Sequence, residues 1–167
     1  LDFSKLEAGK MVLEKMPFAL RETLAETLTI IAGSAQEKGL ELVIDIDSNV
    51  PESVSGDAMR VSQIITNLVG NAIKFTDSGS VILKIHLVGQ EDNITLRCEV
   101  IDTGIGIDES QQEYLFQAFG QADSSISRRF GGTGLGLVIT KRLINQMGGQ
   151  IGFTSAPNKG SNFWFIL

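Results

Sequence analysis

Cysteine and histidine each occur once in the 167 residues. A single thiol excludes an intramolecular disulfide framework and points to a reducing compartment, and one imidazole leaves no material for a His/Cys metal cluster. No apolar run approaches the length of a membrane span. The N-terminus also lacks the basic stretch and apolar core of a signal peptide. Cations are in the minority: 14 Lys+Arg against 20 Asp+Glu leave a net charge of −6. A general nucleic-acid binder needs a basic surface to displace counterions, so that class is excluded; a phosphate ligand held by a few placed groups is not. Hydrophobic residues at 43% and charged residues at 20% are ordinary for one globular domain and exclude bulk disorder. Glycine is what the chain has in quantity, 18 in all and 11 of them after residue 100. Special backbone is concentrated in the second half.

Residues 1–9 read as the end of a helix with Gly9 placed to cap it, so the chain is expected to be a piece of a longer protein. Loose alternation over 11–18 points to an edge strand. Residues 20–38 carry Leu20, Leu24, Leu28, Ile31 and Ala35 at helical spacing, with Gly39 beyond the end. Residues 40–46 alternate as a strand, which Asn49, Val50 and Pro51 break. Asp57 is placed to cap a long helix with Ala58, Val61, Ile64, Ile65, Leu68, Ala72 and Ile73 as its buried stripe. Strands at 81–88 and 94–101 form a hairpin around a polar loop. A short helix at 109–119 and a polar, Gly- and Ser-rich loop at 120–134 follow; that loop is long for a compact domain and therefore suspected of function. A helix at 135–147 and strands at 150–154 and 161–167 complete a mixed sheet with helices on one face.

The helix after Asp57 has a second, polar stripe that includes Gln63, Asn67, Asn71 and Lys74. At 100° per residue the last three fall within about 60° of one another. Two carboxamides one turn apart supply neutral oxygens suited to Mg²⁺ that also holds phosphates and waters, and a lysine one turn on can meet phosphate as a point charge. The plain alternative is a solvated helix face, but asparagine is a poor helix former and such a face would more naturally carry Glu, Lys or Gln. Asp102, Thr103, Gly104, Ile105, Gly106 and Ile107 follow a strand directly. A carboxylate there can accept from an exocyclic amine, and glycines let a flat ring approach the backbone. Gly131, Gly132, Thr133, Gly134, Leu135, Gly136 and Leu137 open a helix, whose unpaired N–H groups and dipole favour phosphate. Neither the P-loop nor the dinucleotide-binding spacing is present.

In this order, with Phe116 and Phe119 between the last two, the motifs resemble the catalytic, ATP-binding domain of sensor histidine kinases. That family shares a superfamily with gyrase, Hsp90 and MutL. Asn67 to Thr76 matches the N box, Asp102 to Gly106 the first glycine box, Phe116 to Phe119 the F box, and Gly132 to Gly136 the second glycine box. The resemblance covers 11–167, while 1–10 looks like the end of a dimerisation-domain helix and its linker. Residues 1–9, 119–131 and 161–165 resemble hybrid kinases of the GacS/BarA type. The implied fold is a two-layer α/β (α+β) sandwich of Bergerat type, its mixed sheet mostly antiparallel.

The resemblance implies roles for named residues. Asp102 binds the adenine amine, with Gly104, Gly106 and Ile107 at that pocket. Asn71, helped by Asn67, binds Mg²⁺, and Lys74 neutralises phosphate. Gly132, Thr133, Gly134, Leu135 and Gly136 cradle the β- and γ-phosphates. Residues 120–131 form a lid anchored by Phe116 and Phe119, and Arg128 or Arg129 touches the γ-phosphate or a partner helix, although adjacent arginines in a loop are more often simply solvated. Gyrase-like enzymes keep a glutamate base one turn before the metal-binding asparagine. Asn67 stands there and cannot take a proton near neutral pH, so ATP is expected to be held for an external nucleophile. The implied parent is a homodimeric two-component sensor kinase anchored in the bacterial inner membrane, with a receiver domain downstream. This chain is expected to be its cytoplasmic, monomeric catalytic part, without the phosphate-accepting histidine. A regulatory nucleotide-binding module and a slow ATPase are the alternatives. His86, on a strand and with no acidic neighbour expected to orient it, reads as a surface residue, Cys98 as a core thiol and Trp164 as core.

Overall fold

The computed structural model describes residues 12–89, 94–108, 112 and 136–167. Strand β1 (Met16–Ala19) leads into helix α1 (Leu20–Glu37), β2 (Glu41–Ile46), β3 (Ser53–Gly56) and helix α2 (Ala58–Lys74). Then come β4 (Ser80–Gly89), β5 (Thr95–Asp102), helix α3 (Gly136–Gln146), β6 (Gln150–Ser155) and β7 (Ser161–Ile166). Five strands form one sheet in the order β2-β4-β5-β7-β6. Only the β2–β4 pair is parallel, so the sheet is mixed and mostly antiparallel.

Alternation decides which face is covered. Val81, Leu83 and Ile85 of β4 and Leu96, Cys98 and Val100 of β5 are buried in one cluster with the apolar stripes of α1, α2 and α3. Lys84, His86, Arg97 and Glu99 take the opposite, half-exposed face. The result is two layers, sheet and helices.

Helix α2 is the spine of the helical layer. Asp57 caps it, its Oδ1 accepting from the Arg60 N–H at 3.2 Å while Oδ2 accepts from the Glu14 N–H at 3.1 Å. Lys38 closes the other end, donating from Nζ to the Ile73 and Lys74 carbonyls at 2.7 and 3.2 Å, a cation where the helix dipole favours one. Ile64, Ile65, Leu68 and Val69 are at most 2% exposed. Each contributes about 1.5–3 kcal/mol by burial. An asparagine in a helix costs at most about 0.7 kcal/mol relative to alanine, so packing easily carries the two on this helix.

Three details depart from the sequence expectation. Among 12–18, only Met16 onward is strand, and its partner β3 was not foreseen: Ser53, Val54, Ser55 and Gly56 hold one large apolar residue and no periodic signal. Val69 joins the buried stripe whereas Ala58 is half-buried, because α2 packs against both neighbouring helices as well as the sheet. Trp164 is not in the core. It is half-buried on the outer sheet face, with the Arg97 guanidinium 4.4 Å from its ring centroid.

Candidate functional site

The chain around Gly104 and Gly106 is clamped from two sides. The Phe75 carbonyl, just past the end of α2, accepts from the Ile105 N–H at 3.2 Å, and the Ile105 carbonyl accepts from the Asn158 N–H at 2.6 Å. A side chain at Gly104 would run into the Phe75 carbonyl, and one at Gly106 into the carbonyl of Ala156. Gly106 also holds φ +71°, the left-handed region that L side chains resist. Both glycines are therefore required by the protein's own backbone, before any ligand is considered.

Asp102, the last residue of β5, points into the helical layer and is 6% exposed. Its Oδ1 accepts from the Gly104 N–H at 2.9 Å. Burial pushes its pKa above the ordinary carboxylate range, opposed by the backbone N–H groups of Gly104 and Ser161. The buried acid is thus strained toward its neutral form, and a donor arriving at it relieves desolvation. Around it lies a hydroxyl cluster that the sequence did not announce. Ser155 Oγ sits 2.8 Å from Ser161 Oγ and accepts from the Ile107 N–H at 2.9 Å. The pairing of Ser155 with Ser161 comes from the β6–β7 register, for which two ordinary serines give no signal. Gln112 ties the far side, donating from Nε2 to the Ile107 carbonyl at 2.9 Å.

Along α2, Asn67 and Asn71 are half-buried and Lys74 is exposed. Asn67 donates from Nδ2 to Thr140 Oγ1 at 3.2 Å, and Thr140 in turn donates to the carbonyl of Gly136, the first described residue of α3. The start of α3 is therefore tied to position 67, and the Asp102 loop to position 75. The stripe Asn67–Asn71–Lys74 lies between them, over a rise of about 12 Å for eight residues of helix. Three sequence motifs that are far apart in the chain meet on one helix. Phe116, Phe119, Arg128, Arg129, Gly132, Thr133, Gly134 and Leu135, with the expected lid at 120–131 and the segment 1–9, lie outside the described residues.

Two residues singled out for bland roles can be placed. Cys98 is buried in the core, and desolvation pushes its thiol pKa up to about 12, which leaves it inert. His86 is on the outer face as expected. It does have an acidic neighbour, contrary to the sequence reading: Glu99 Oε2 stands 3.8 Å from its Nδ1 across the β4–β5 ladder. Strand register brought them together, and sequence spacing does not reveal it. Among the described residues no three His, Cys, Asp or Glu side chains group to hold a metal ion, and no helix is long and apolar enough to cross a membrane.

Comparison with known proteins agrees with this fold. The chain is 59% identical over its full length to the signal transduction histidine-protein kinase BarA of Escherichia coli K12, and 55% identical to the sensor histidine kinase GacS of Pseudomonas protegens. It spans 18% of the length of each. Among solved structures, full-length ShkA in complex with AMPPNP superposes with a TM-score of 0.84 at 33% identity, covering 99% of this chain and 33% of that one. Residues 56–167 match the family model of histidine kinase-, DNA gyrase B- and HSP90-like ATPases. With the family model matching two thirds of the chain and two histidine kinases more than half identical along all of it, the chain belongs to that ATPase family, as a domain of the histidine kinase kind.

Proposed function

We propose that this chain binds Mg·ATP and presents the γ-phosphate to a histidine on a dimerisation domain of the parent protein, a hybrid sensor kinase. The observation that carries the reading is the tethering of both motifs to one helix: a buried carboxylate at one end of the Asn67–Asn71–Lys74 stripe and the first described turn of α3 at the other. An extended nucleoside triphosphate covers that span with its base on Asp102 and its phosphates at Asn71, Lys74 and Gly136. Asp102 accepts from the adenine amine, whereas guanine offers a carbonyl there and leaves two acceptors facing each other. The donor set fits Mg²⁺: neutral carboxamide oxygens on Asn71 and Asn67, with phosphates and waters completing a shell that magnesium rarely takes wholly from protein. The ion supplies charge neutralisation across the phosphates when bound. The chain's own part is to hold the base, orient the phosphates and offer no base for water attack at position 67, where Asn67 is a carboxamide.

Calorimetric titration with ATP, ADP and GTP, each with and without Mg²⁺, tests the binding half. ATP and ADP are expected to bind and GTP not. Asp102→Asn is expected to weaken ATP by about 1.5–3 kcal/mol, the worth of a hydrogen bond to a charged group. Equal affinity for GTP sinks the assignment. Addition of a separately purified dimerisation domain with γ-labelled ATP tests transfer, and binding without transfer would favour the regulatory module.

A further inference from the structure

We propose that Thr140 is a positioning residue of this site: its hydroxyl sets the Asn67 carboxamide so that the carbonyl oxygen, and not the amide NH₂, is presented to the cation. The inference rests on the Mg·ATP reading above and deepens it.

A threonine hydroxyl has one proton. At Thr140 that proton is spent within α3, on the Gly136 carbonyl one turn back at 2.8 Å. Toward Asn67, 3.2 Å away, Oγ1 is left only as an acceptor, so Asn67 must meet it with Nδ2. The two ends of a carboxamide diverge from Cγ, so fixing Nδ2 on Thr140 turns Oδ1 away from α3. Without such a partner the two ends are nearly interchangeable in shape, and a flipped Asn67 would aim two N–H donors at a cation. Packing does not call for the hydroxyl. Thr140 is 0% exposed, and its companions on the buried stripe of α3 are Val138, Leu143 and Ile144. Valine has the same shape and no polar atom to satisfy.

The test uses the whole chain with Thr140→Val and Thr140→Ser. Affinity for ADP and a non-hydrolysable ATP analogue is measured with and without Mg²⁺, alongside thermal unfolding of the nucleotide-free protein. Thr140→Val is expected to keep its Tm and its Mg-free affinity while losing about three- to tenfold of the Mg-dependent gain, the equivalent of one neutral hydrogen bond. Thr140→Ser keeps the hydroxyl, so it is expected to retain that gain although the lost methyl lowers Tm. A purely structural role gives the reverse order, with the serine variant the worse binder. A full Mg-dependent gain in Thr140→Val, an equal loss in both variants, or nucleotide binding by the unsubstituted chain with no Mg-dependent gain overturns the proposal and leaves nucleotide binding standing. No nucleotide binding by the unsubstituted chain overturns both.

Discussion

At Asp102, folding and ligand binding ask for different things. Burial raises its pKa, so the folded chain holds this proton more readily than the unfolded chain does. By linkage, the contribution of such a group is fully present below the ordinary carboxylate range and is lost as pH rises through the raised value. Above that value the ionised side chain is therefore a cost. Asp102→Asn removes the charge and keeps an oxygen for the Gly104 N–H. The nucleotide-free variant is expected to melt higher than the unsubstituted chain at pH 7, by about 2–4 °C for each kcal/mol recovered in a chain of this size. The difference should close toward pH 4. Calorimetric melts across that range check it, and a lower Tm at pH 7 would show that Asp102 stabilises the fold. A variant more stable yet weaker in ATP binding is what a binding residue, unlike a packing one, should produce.

At the scale of elements, glycines of the same type do opposite things. Gly106 takes φ +71° against the Ala156 carbonyl, and Gly104 is pressed on the Phe75 carbonyl. Gly33 lies exposed inside α1 with nothing within 4 Å of where a Cβ would be. Gly33→Ala is expected to stabilise by about 0.5–1 kcal/mol through helix propensity and unfolded-state entropy. Gly106→Ala should cost at least about 1–2 kcal/mol from the left-handed backbone alone, with the steric clash added. It should also displace the loop that holds Asp102 and so weaken nucleotide binding. Urea unfolding of both variants is the measurement, and equal effects of one sign would contradict the assignment of these two environments.

For the whole molecule, the sheet separates the one histidine from the site. Asn67 and Thr140 lie in the helical layer and the Asp102 side chain faces it, whereas His86 is on the outer face beside Glu99. The acidic neighbour does not change the expected outcome, because no phosphate held between α2 and α3 reaches through five paired strands. Incubated alone with γ-labelled ATP, the chain should remain unlabelled. A stable phosphoramidate at His86 would mean that copies of the chain act on one another's outer faces.

What the sequence by itself determined was local. The stripes of α1 and α2, the Asp57 cap, the β4–β5 hairpin and the inward Cys98 follow from periodicity and capping chemistry within a few residues. The candidate residues Asn67, Asn71, Lys74 and Asp102 were legible for a related reason, since each stands in a short motif whose spacing has a chemical meaning. What only the tertiary structure decided was pairing at long range. The β3 strand, the Ser155–Ser161 hydroxyls, His86 beside Glu99 and the outer-face position of Trp164 all depend on register between strands, to which local propensity is blind. The same holds for Thr140. Its residue type is unremarkable on a helix, and its meaning comes from Asn67, 73 positions earlier, because a hydroxyl with one proton must accept from whatever the fold sets beside it.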